Sequence, residues 1–344
     1  PAGAEAGRAP GGAGEGGECN DVHPNADSPE MLHVVYASDV GQAEGVQASI
    51  ASVVASAAAP EDLTVHVVVQ QRWAAEFRQR LGVSPQCQAT VTVTGVLIRV
   101  HVVDAQLIEG AVARVSKDLR QKRGAIDSLE NFARFYMHLV FDFETAVYLD
   151  ADTVVQADLG QLRKELLASG KTVGFVARDD AVKMDKFLQK PKGCSASFGN
   201  WRKLLRQPAY NVGVFAVNLQ RWREQKVAER VEGFVAQHNQ CGGKLWLGGS
   251  QPPLLLAFLD RPEGAPADFI VFDKAWNAAN LGWRTDLAPA KLRKKFVLHW
   301  NGARKPWLKD GLYRELWRPH RERFASLLRP YDGGAPAPSA PAAT

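Results

Sequence analysis

Tyr148-Leu149-Asp150-Ala151-Asp152-Thr153-Val154-Val155 is the stretch around which the rest of the chain is read. The β-branched and aromatic run Thr145 to Leu149 has the composition of a buried strand, and two carboxylates separated by one small residue follow where it ends. In extended backbone, alternation sends Asp150 and Asp152 to one side and Ala151 to the other, so both acids can approach one divalent cation. Acidic residues after strands also make turns and helix caps, so the pair gains meaning only from its companions.

Upstream of this stretch the pattern alternates. Met31 to Ala37 reads as a strand closed by Ser38-Asp39, and Val46, Ile50, Val53 and Val54 fall on one face of a helix that ends before Pro60. Leu63 to Val69 is a second strand, Trp73, Phe77 and Leu81 mark a second helix, and Leu97 to Val103 is a third strand. After a basic loop, Ser128 can cap a helix that turns Leu129, Phe132, Phe135, Tyr136 and Leu139 inward and leads into the acidic strand. Such βαβα alternation predicts an α/β fold, a mostly parallel sheet flanked by helices, with ligands at the carboxyl ends of the strands. Asp39 and Asp150 both stand at such ends.

Downstream, Thr172 to Ala177 is a strand that ends in Arg178-Asp179-Asp180, followed by a long basic and aromatic segment to Pro208. A connection of that size inside a domain is usually functional or mobile. Tyr210 to Asn218 is a strand interrupted by Gly213, where the missing side chain permits close approach of a ligand or another backbone. Val227, Val231 and Phe234 share a helix face, and Gly249-Ser250-Gln251-Pro252-Pro253 opens an apolar helix through Leu259. Phe269 to Phe272 and Phe296 to His299 are short late strands, and Lys309 to Leu328 is a terminal helical segment.

The chain has 344 residues, 46% of them apolar, enough for one large α/β domain, which the pattern places at residues 31–330. Residues 1–30 are rich in Gly and Ala and 331–344 in Pro and Ala; neither can bury enough apolar surface to offset ordering entropy, so both are expected to be disordered. No run of about 18 apolar residues is present, so as given the chain is expected to be soluble. Cys19, Cys87, Cys194 and Cys241 are far apart and lack the spacing of a zinc or thioredoxin-like motif; one or two secretory-pathway disulfides and four buried thiols are both open. The formal charge is +5, with cations gathered at Lys117 to Arg123, Lys183 to Lys192, Arg202 to Arg206 and Lys291 to Lys295. Solvated surface charge is the plain reading and an acidic partner the sharper one; with no nucleic-acid-binding motif, nucleic acid is not expected.

The late strand supplies companions for the acids. His299 can offer an imidazole nitrogen to a metal, Gly302 lets the backbone come close, and Lys305 adds a cation. Asp150, Asp152 and His299 form a mixed oxygen and nitrogen set that a borderline ion such as Mn²⁺ accepts. Lys305 and Arg134 can neutralise a diphosphate beside it.

These residues carry a family resemblance. YLDADTVV matches the D-x-D motif of the family 8 retaining glycosyltransferases of the GT-A fold, and His299 to Trp307 reads as that family's H-x-x-G-x-x-K-P-W; the likeness runs from about Met31 to Pro319. The resemblance implies a GT-A-type, Rossmann-like mixed sheet, Mn²⁺ or another divalent cation on Asp150, Asp152 and His299, and Lys305 on the donor diphosphate. It implies that Ala37 and Asp39 lie in the uridine-binding segment, that Arg134 approaches donor and phosphate, and that Ala151, Asn211, Gly213 and Gly302 line the donor site. Asp179 or Asp180 corresponds to the carboxylate at the donor sugar. Gly249 to Phe258, Trp276 to Gly282 and Leu298 to Trp307 resemble the plant galacturonosyltransferase and galacturonosyltransferase-like branch. Those proteins usually carry Leu where Gln251 stands, whereas bacterial galactosyltransferase relatives have a glutamine near the reacting face of the sugar.

The activity so implied is transfer of a hexosyl group from a UDP-sugar to a hydroxyl of a glycan, polysaccharide or glycoprotein, with retained configuration. Retention can come from double displacement through Gln251, Asp179 or Asp180, or from same-face substitution in which the leaving diphosphate takes the acceptor's proton. The competing reading is a catalytically inactive UDP-sugar-binding or scaffold protein of a polysaccharide-synthesising complex. A Golgi-lumen location, with any membrane attachment through a segment preceding residue 1, is an expectation from the resemblance alone.

Overall fold

The computed structural model describes residues 30–103, 129–179, 181–189, 198–247 and 249–328, with Cys19, Val22, His23, Asn25, Ala26, Ser28, Gly193 and Cys194. The tail 331–344, most of 1–30, the basic run 117–123, Ser128 and Asp180 lie outside the described residues.

Among the described residues, ten strands form two sheets. β1 (Leu32–Ala37), β2 (Leu63–Gln70), β3 (Ala89–Val91), β4 (Leu97–Val103), β5 (Thr145–Leu149), β7 (Val173–Val176), β8 (Val214–Asn218) and β9 (Phe269–Phe272) make an eight-stranded sheet in the order β3-β4-β2-β1-β5-β8-β7-β9. β6 (Thr153–Val155) and β10 (Val297–His299) make a separate antiparallel pair. β4, β2, β1 and β5 run parallel; β8 is antiparallel to β5 and β7, and β9 is parallel to β7. The sheet is thus mixed, and the carboxyl ends of β1, β5 and β7 share one edge.

Runs of Val in β1, β2 and β4 suit strands covered on both faces. In β1, Val34 and Tyr36 pack into one apolar cluster with helix α1 (Ala43–Ser56) and helix α2 (Gln71–Arg80), while Val35 joins Phe132, Tyr148 and Phe215 on the other face. Phe77 of α2 is fully buried, and burial of a side chain of that size is worth about 1.5–3 kcal/mol over exposure. A third cluster, with Val154, Leu298, Trp300 and Trp317, surrounds the two-stranded sheet and fastens it to α1 through Ala48.

Two local expectations differ from the structure. The helix leading to the acidic strand is two short pieces, Leu129–Ala133 and Met137–Val140, and Leu139 is 54% exposed rather than inward. The amides of Phe135 and Tyr136 turn back to Phe132 and Ala133, which ends the first piece and rotates the second. The strand expected from Tyr210 begins only at Val214, because Asn211 to Gly213 is a turn held by the Asn211 side chain. Cys19 pairs with Cys87 and Cys194 with Cys241, leaving no free cysteine. No helix among the described residues is long and apolar enough to cross a membrane.

Candidate metal and donor site

β5 ends at Leu149, and a turn over Asp150 to Asp152 separates it from β6. That turn is pinned from both sides. The amide of Asp150 donates to the carbonyl of Gly213 at 2.8 Å, and the amide of Trp300 donates to the carbonyl of Asp152 at 2.9 Å. Pairing of β6 with β10 sets His299 opposite Thr153, one residue beyond Asp152. Residues separated by about half the chain are thereby brought to one point.

His299 Nε2 lies 3.6 Å from Asp150 Oδ2 and 3.3 Å from Asp152 Oδ1, and the three candidate ligand atoms lie within 4.8 Å of one another. Each carboxylate is divided between two tasks. Asp150 turns Oδ2 to the histidine and offers Oδ1 to Arg134 Nη2 at 2.9 Å. Asp152 turns Oδ1 to the histidine and offers Oδ2 to Lys305 Nζ, which also donates to the carbonyl of Trp300 at 3.0 Å. Burial alone would raise the Asp152 carboxyl, but Lys305 and His299 beside it overcome that and hold it well below the usual carboxylate range.

Arg134 is 3% exposed and fully engaged. Its Nε donates to the Asn131 carbonyl at 2.9 Å, its Nη1 to the Val212 carbonyl at 2.8 Å, and its guanidinium lies 4.6 Å from the Tyr148 ring centroid. Burial would lower this guanidinium; the Asp150 carboxylate more than compensates and raises it. Asn131 also accepts from Arg134 Nη2 and from the Ser250 hydroxyl at 3.1 Å, which ties the start of the helix Gln251–Leu259 to the acidic turn.

The histidine is oriented from behind. Asn277 Nδ2 donates to the Asn211 carbonyl and to Asn211 Oδ1, which fixes the amide and leaves Asn277 Oδ1 facing His299 Nδ1 at 3.0 Å. Nδ1 therefore carries a hydrogen, and in the neutral ring the Nε2 lone pair points at the carboxylates. Three electron-rich atoms facing one another are a fitting donor set for a divalent cation.

The other candidate residues fall into two groups. Asn211 accepts from the Gly213 amide at 2.9 Å, and a Cβ on Gly213 would overlap His299 Cε1 and sit 2.5 Å from Asp150 Oδ2, so only glycine fits between these two side chains. Gly302, at φ +131°, packs backbone to backbone on Gly282, where any side chain would lie 2.7 Å from Gly282 C. Ala151 is buried, with its carbonyl against Gly45 of α1. Ala37 and Asp39 stand at the end of β1 on the same sheet edge, and the Asp39 side chain makes no capping bond to the turn that follows. Gln251 is the first residue of its helix and half-buried. Asp179 is drawn elsewhere: it pairs with Lys295 at 3.0 Å and Lys274 at 3.4 Å and is about half exposed. Asp180 lies outside the described residues.

Residues 33–311 match glycosyl transferase family 8. The chain belongs to this family. Among its relatives is glycosyltransferase 8 domain-containing protein 2 of Bos taurus, 25% identical over 204 residues that cover 54% of this chain and 56% of that protein. Another is probable galacturonosyltransferase 14 of Arabidopsis thaliana, 25% identical over 336 residues that cover 87% of this chain and 61% of that protein. The family 8 chain described here thus spans little more than half the length of these relatives. In fold it resembles an active-site mutant of LgtC, with a TM-score of 0.55 at 18% identity over 86% of this chain and 95% of that one. It also resembles the glycosyltransferase GlyE of Streptococcus pneumoniae TIGR4, with a TM-score of 0.52 at 16% identity over 87% and 62% of the two chains. The GT-A fold expected from the sequence is the one observed.

Sequence reasoning did not single out Asn277, Asn131 or Ser250, the residues that orient His299 and Arg134. Asn277 lies within 276–282, which stood out only as a stretch of resemblance. No spacing rule links it to a histidine 22 residues later.

Proposed function

We propose that this protein is a retaining hexosyltransferase that moves a sugar from a UDP-sugar to a hydroxyl of a glycan, polysaccharide or glycoprotein, with Mn²⁺ or a similar divalent ion on Asp150, Asp152 and His299. The observation that carries this reading is the convergence of Asp150 Oδ2, Asp152 Oδ1 and His299 Nε2, each carboxylate's other oxygen being held by a cation. Bound there, a divalent ion supplies positive charge to the diphosphate of the donor and eases its departure.

The chain's own residues complete the assignment. Lys305 and Arg134 add two fixed cations beside the diphosphate, and the backbone at Gly302 lets it approach. Ala37 and Asp39 take the uridine, while Asn211, Gly213 and Gln251 face the sugar. Transfer forms a bond between the acceptor oxygen and the anomeric carbon and breaks the bond from that carbon to the diphosphate oxygen. The electron pair leaves with UDP, and the acceptor's proton passes to the leaving oxygen on the same face. Engagement of Asp179 by two lysines favours this route over a double displacement through that carboxylate. The two disulfides fit an oxidising compartment, and we assign the protein to the Golgi lumen or elsewhere in the secretory pathway.

The test is incubation of the purified protein with Mn²⁺ and each common UDP-sugar in turn, scored by UDP release without acceptor. One donor is hydrolysed slowly, and Asp152→Ala and chelation of the metal each abolish release. Binding of UDP-sugars with no turnover of any would assign the chain to the inactive scaffold class instead.

A further inference from the structure

Trp283 is unlike every other tryptophan in the chain. Of the nine, it alone is exposed, at 60%, whereas Trp222, Trp246, Trp276, Trp300 and Trp317 are buried and the remaining three are partly covered. A solitary exposed apolar residue needs no explanation. This one is held in place. Asn280 adopts a left-handed conformation at φ 75° and accepts the amides of Trp283 at 3.0 Å and Arg284 at 2.9 Å, closing a tight turn. The Asn280 amide donates to the Asn301 side chain, Arg304 donates through its backbone to the Gly282 carbonyl at 3.1 Å, and its guanidinium donates to the Trp283 carbonyl.

These bonds join the Trp283 turn to the segment between His299 and Lys305. The amide of Leu281 reaches the His299 carbonyl at 3.3 Å, and the indole sits beside Gly302, where an added Cβ would lie 2.7 Å from Trp283 Cδ1. An aromatic face is thus kept open to solvent at the rim of the donor site, on backbone that cannot yield without disturbing a metal ligand. A flat indole matches the apolar face that a pyranose ring presents through its C–H bonds, and its backbone is already ordered by the turn, so stacking does not have to order it. Arg284 is neutralised by Asp286 at 2.6 Å, and the Arg304 guanidinium is engaged by the Trp283 carbonyl.

We propose that Trp283 is the stacking platform for the acceptor sugar, a pyranose ring laid on the indole with one hydroxyl turned toward the cleft. The assignment rests on the transferase reading, and the experiment separates the two. Saturation-transfer NMR is run with the full chain, UDP and Mg²⁺ against methyl glucopyranoside, methyl galactopyranoside and methyl galacturonopyranoside. At least one is bound through its ring protons. Trp283→Ala weakens that binding by about tenfold, the worth of an aromatic stacking contact, and Trp283→Phe restores it to within about threefold. Binding to none of the three, or equal binding by Trp283→Ala and the parent chain, overturns the platform. A calorimetric titration of the parent chain with UDP and Mg²⁺ that shows no UDP binding overturns the donor site, and with it the reading on which the platform rests.

Discussion

Asp152 and Lys305, 153 positions apart, form an ion pair in which the carboxylate is 5% exposed and its second oxygen is left facing His299. A positive charge is therefore built in immediately behind a candidate metal ligand. It stabilises the buried carboxylate while the cation is absent, and it repels a divalent ion as that ion arrives. Lys305→Met separates the two effects. In the variant, Mn²⁺ binding without nucleotide strengthens by about tenfold, because a like charge is gone from beside the site. UDP binding in the presence of Mn²⁺ weakens by about tenfold or more, through loss of a charge-assisted bond worth roughly 1.5–3 kcal/mol. Titration calorimetry in both orders of addition reads the opposite signs; weakening of Mn²⁺ binding in the nucleotide-free variant would refute the arrangement.

Gly213 occupies a gap that admits no methyl group, between the His299 ring and Asp150 Oδ2. Gly213→Ala must push one of these two candidate ligands away. Overpacking of this kind costs about 1–3 kcal/mol, equivalent to a fall in melting temperature of roughly 2–6 °C in a domain of this size. The larger consequence is local: Mn²⁺ affinity drops by more than about tenfold because the ligand triangle no longer closes. Differential scanning calorimetry and Mn²⁺ electron paramagnetic resonance together distinguish this from general destabilisation, which would lower the melting temperature and leave the affinity intact.

Asn277 orients His299 without standing among the candidate ligands. Asn277→Ala removes the acceptor for Nδ1–H and frees the ring to change tautomer or rotate, so metal affinity falls by about 10- to 100-fold, the range for loss of a partner that orients a ligand. Asn277→Asp keeps an acceptor for Nδ1–H but turns a carboxylate onto the two Asn211 oxygens that Nδ2 donates to, so it does not recover the affinity. Titration calorimetry with Mn²⁺ reads the loss, and an Asn277→Ala variant with the parent affinity would assign Asn277 to packing alone.

The extent to which this structure was legible beforehand follows the range of the interactions concerned. Leu97–Val103, Thr145–Leu149 and Phe269–Phe272 have the bounds that composition and turn residues predict, because strand identity there depends on neighbours in sequence. Asp150, Asp152, His299 and Lys305 are legible as an acidic pair after a strand with a late histidine and lysine as companions, their two motifs carry the family resemblance, and the structure brings them together. Their means of meeting was not legible. Alternation along extended backbone was expected to put Asp150 and Asp152 on one side, yet a turn over these residues does so, and the separate pairing of Thr153–Val155 with Val297–His299 is a register fixed across some 140 residues. Leu139 departs from its expected inward place for a related reason: Arg134 is drawn to Asp150 and Val212, the helix breaks there, and the face predicted by an unbroken period turns outward. Cysteine pairing likewise needed distances that spacing alone does not give.

A ladder of three histidines, invisible to any motif, predicts how stability varies with pH. His33 on β1, His66 on β2 and His101 on β4 lie on adjacent strands, with His33 Nδ1 3.0 Å from His66 Nε2 and His66 Nδ1 2.9 Å from His101 Nε2. Phe143 stacks on His33 at 3.8 Å, and Phe141 closes over His66 and His101. Burial lowers all three, with His33 and His101 brought to about 4 and His66 well below its ordinary value; Arg163 adds to the effect on His33 and Arg99 to that on the other two. The unfolded chain protonates near pH 6.5 and the folded chain does not until about pH 4, so between these values unfolding takes up protons and stability falls as pH falls. At pH 5 the ladder accounts for uptake of about two to three protons on unfolding. Denaturant unfolding measured from pH 7.5 to 4.5 gives a flat plateau at the upper end and a steepening loss below about pH 6.5. His66→Asn, which keeps polar atoms in mid-ladder and removes a titrating ring, makes that slope shallower; an unchanged slope would show that the ladder does not govern it.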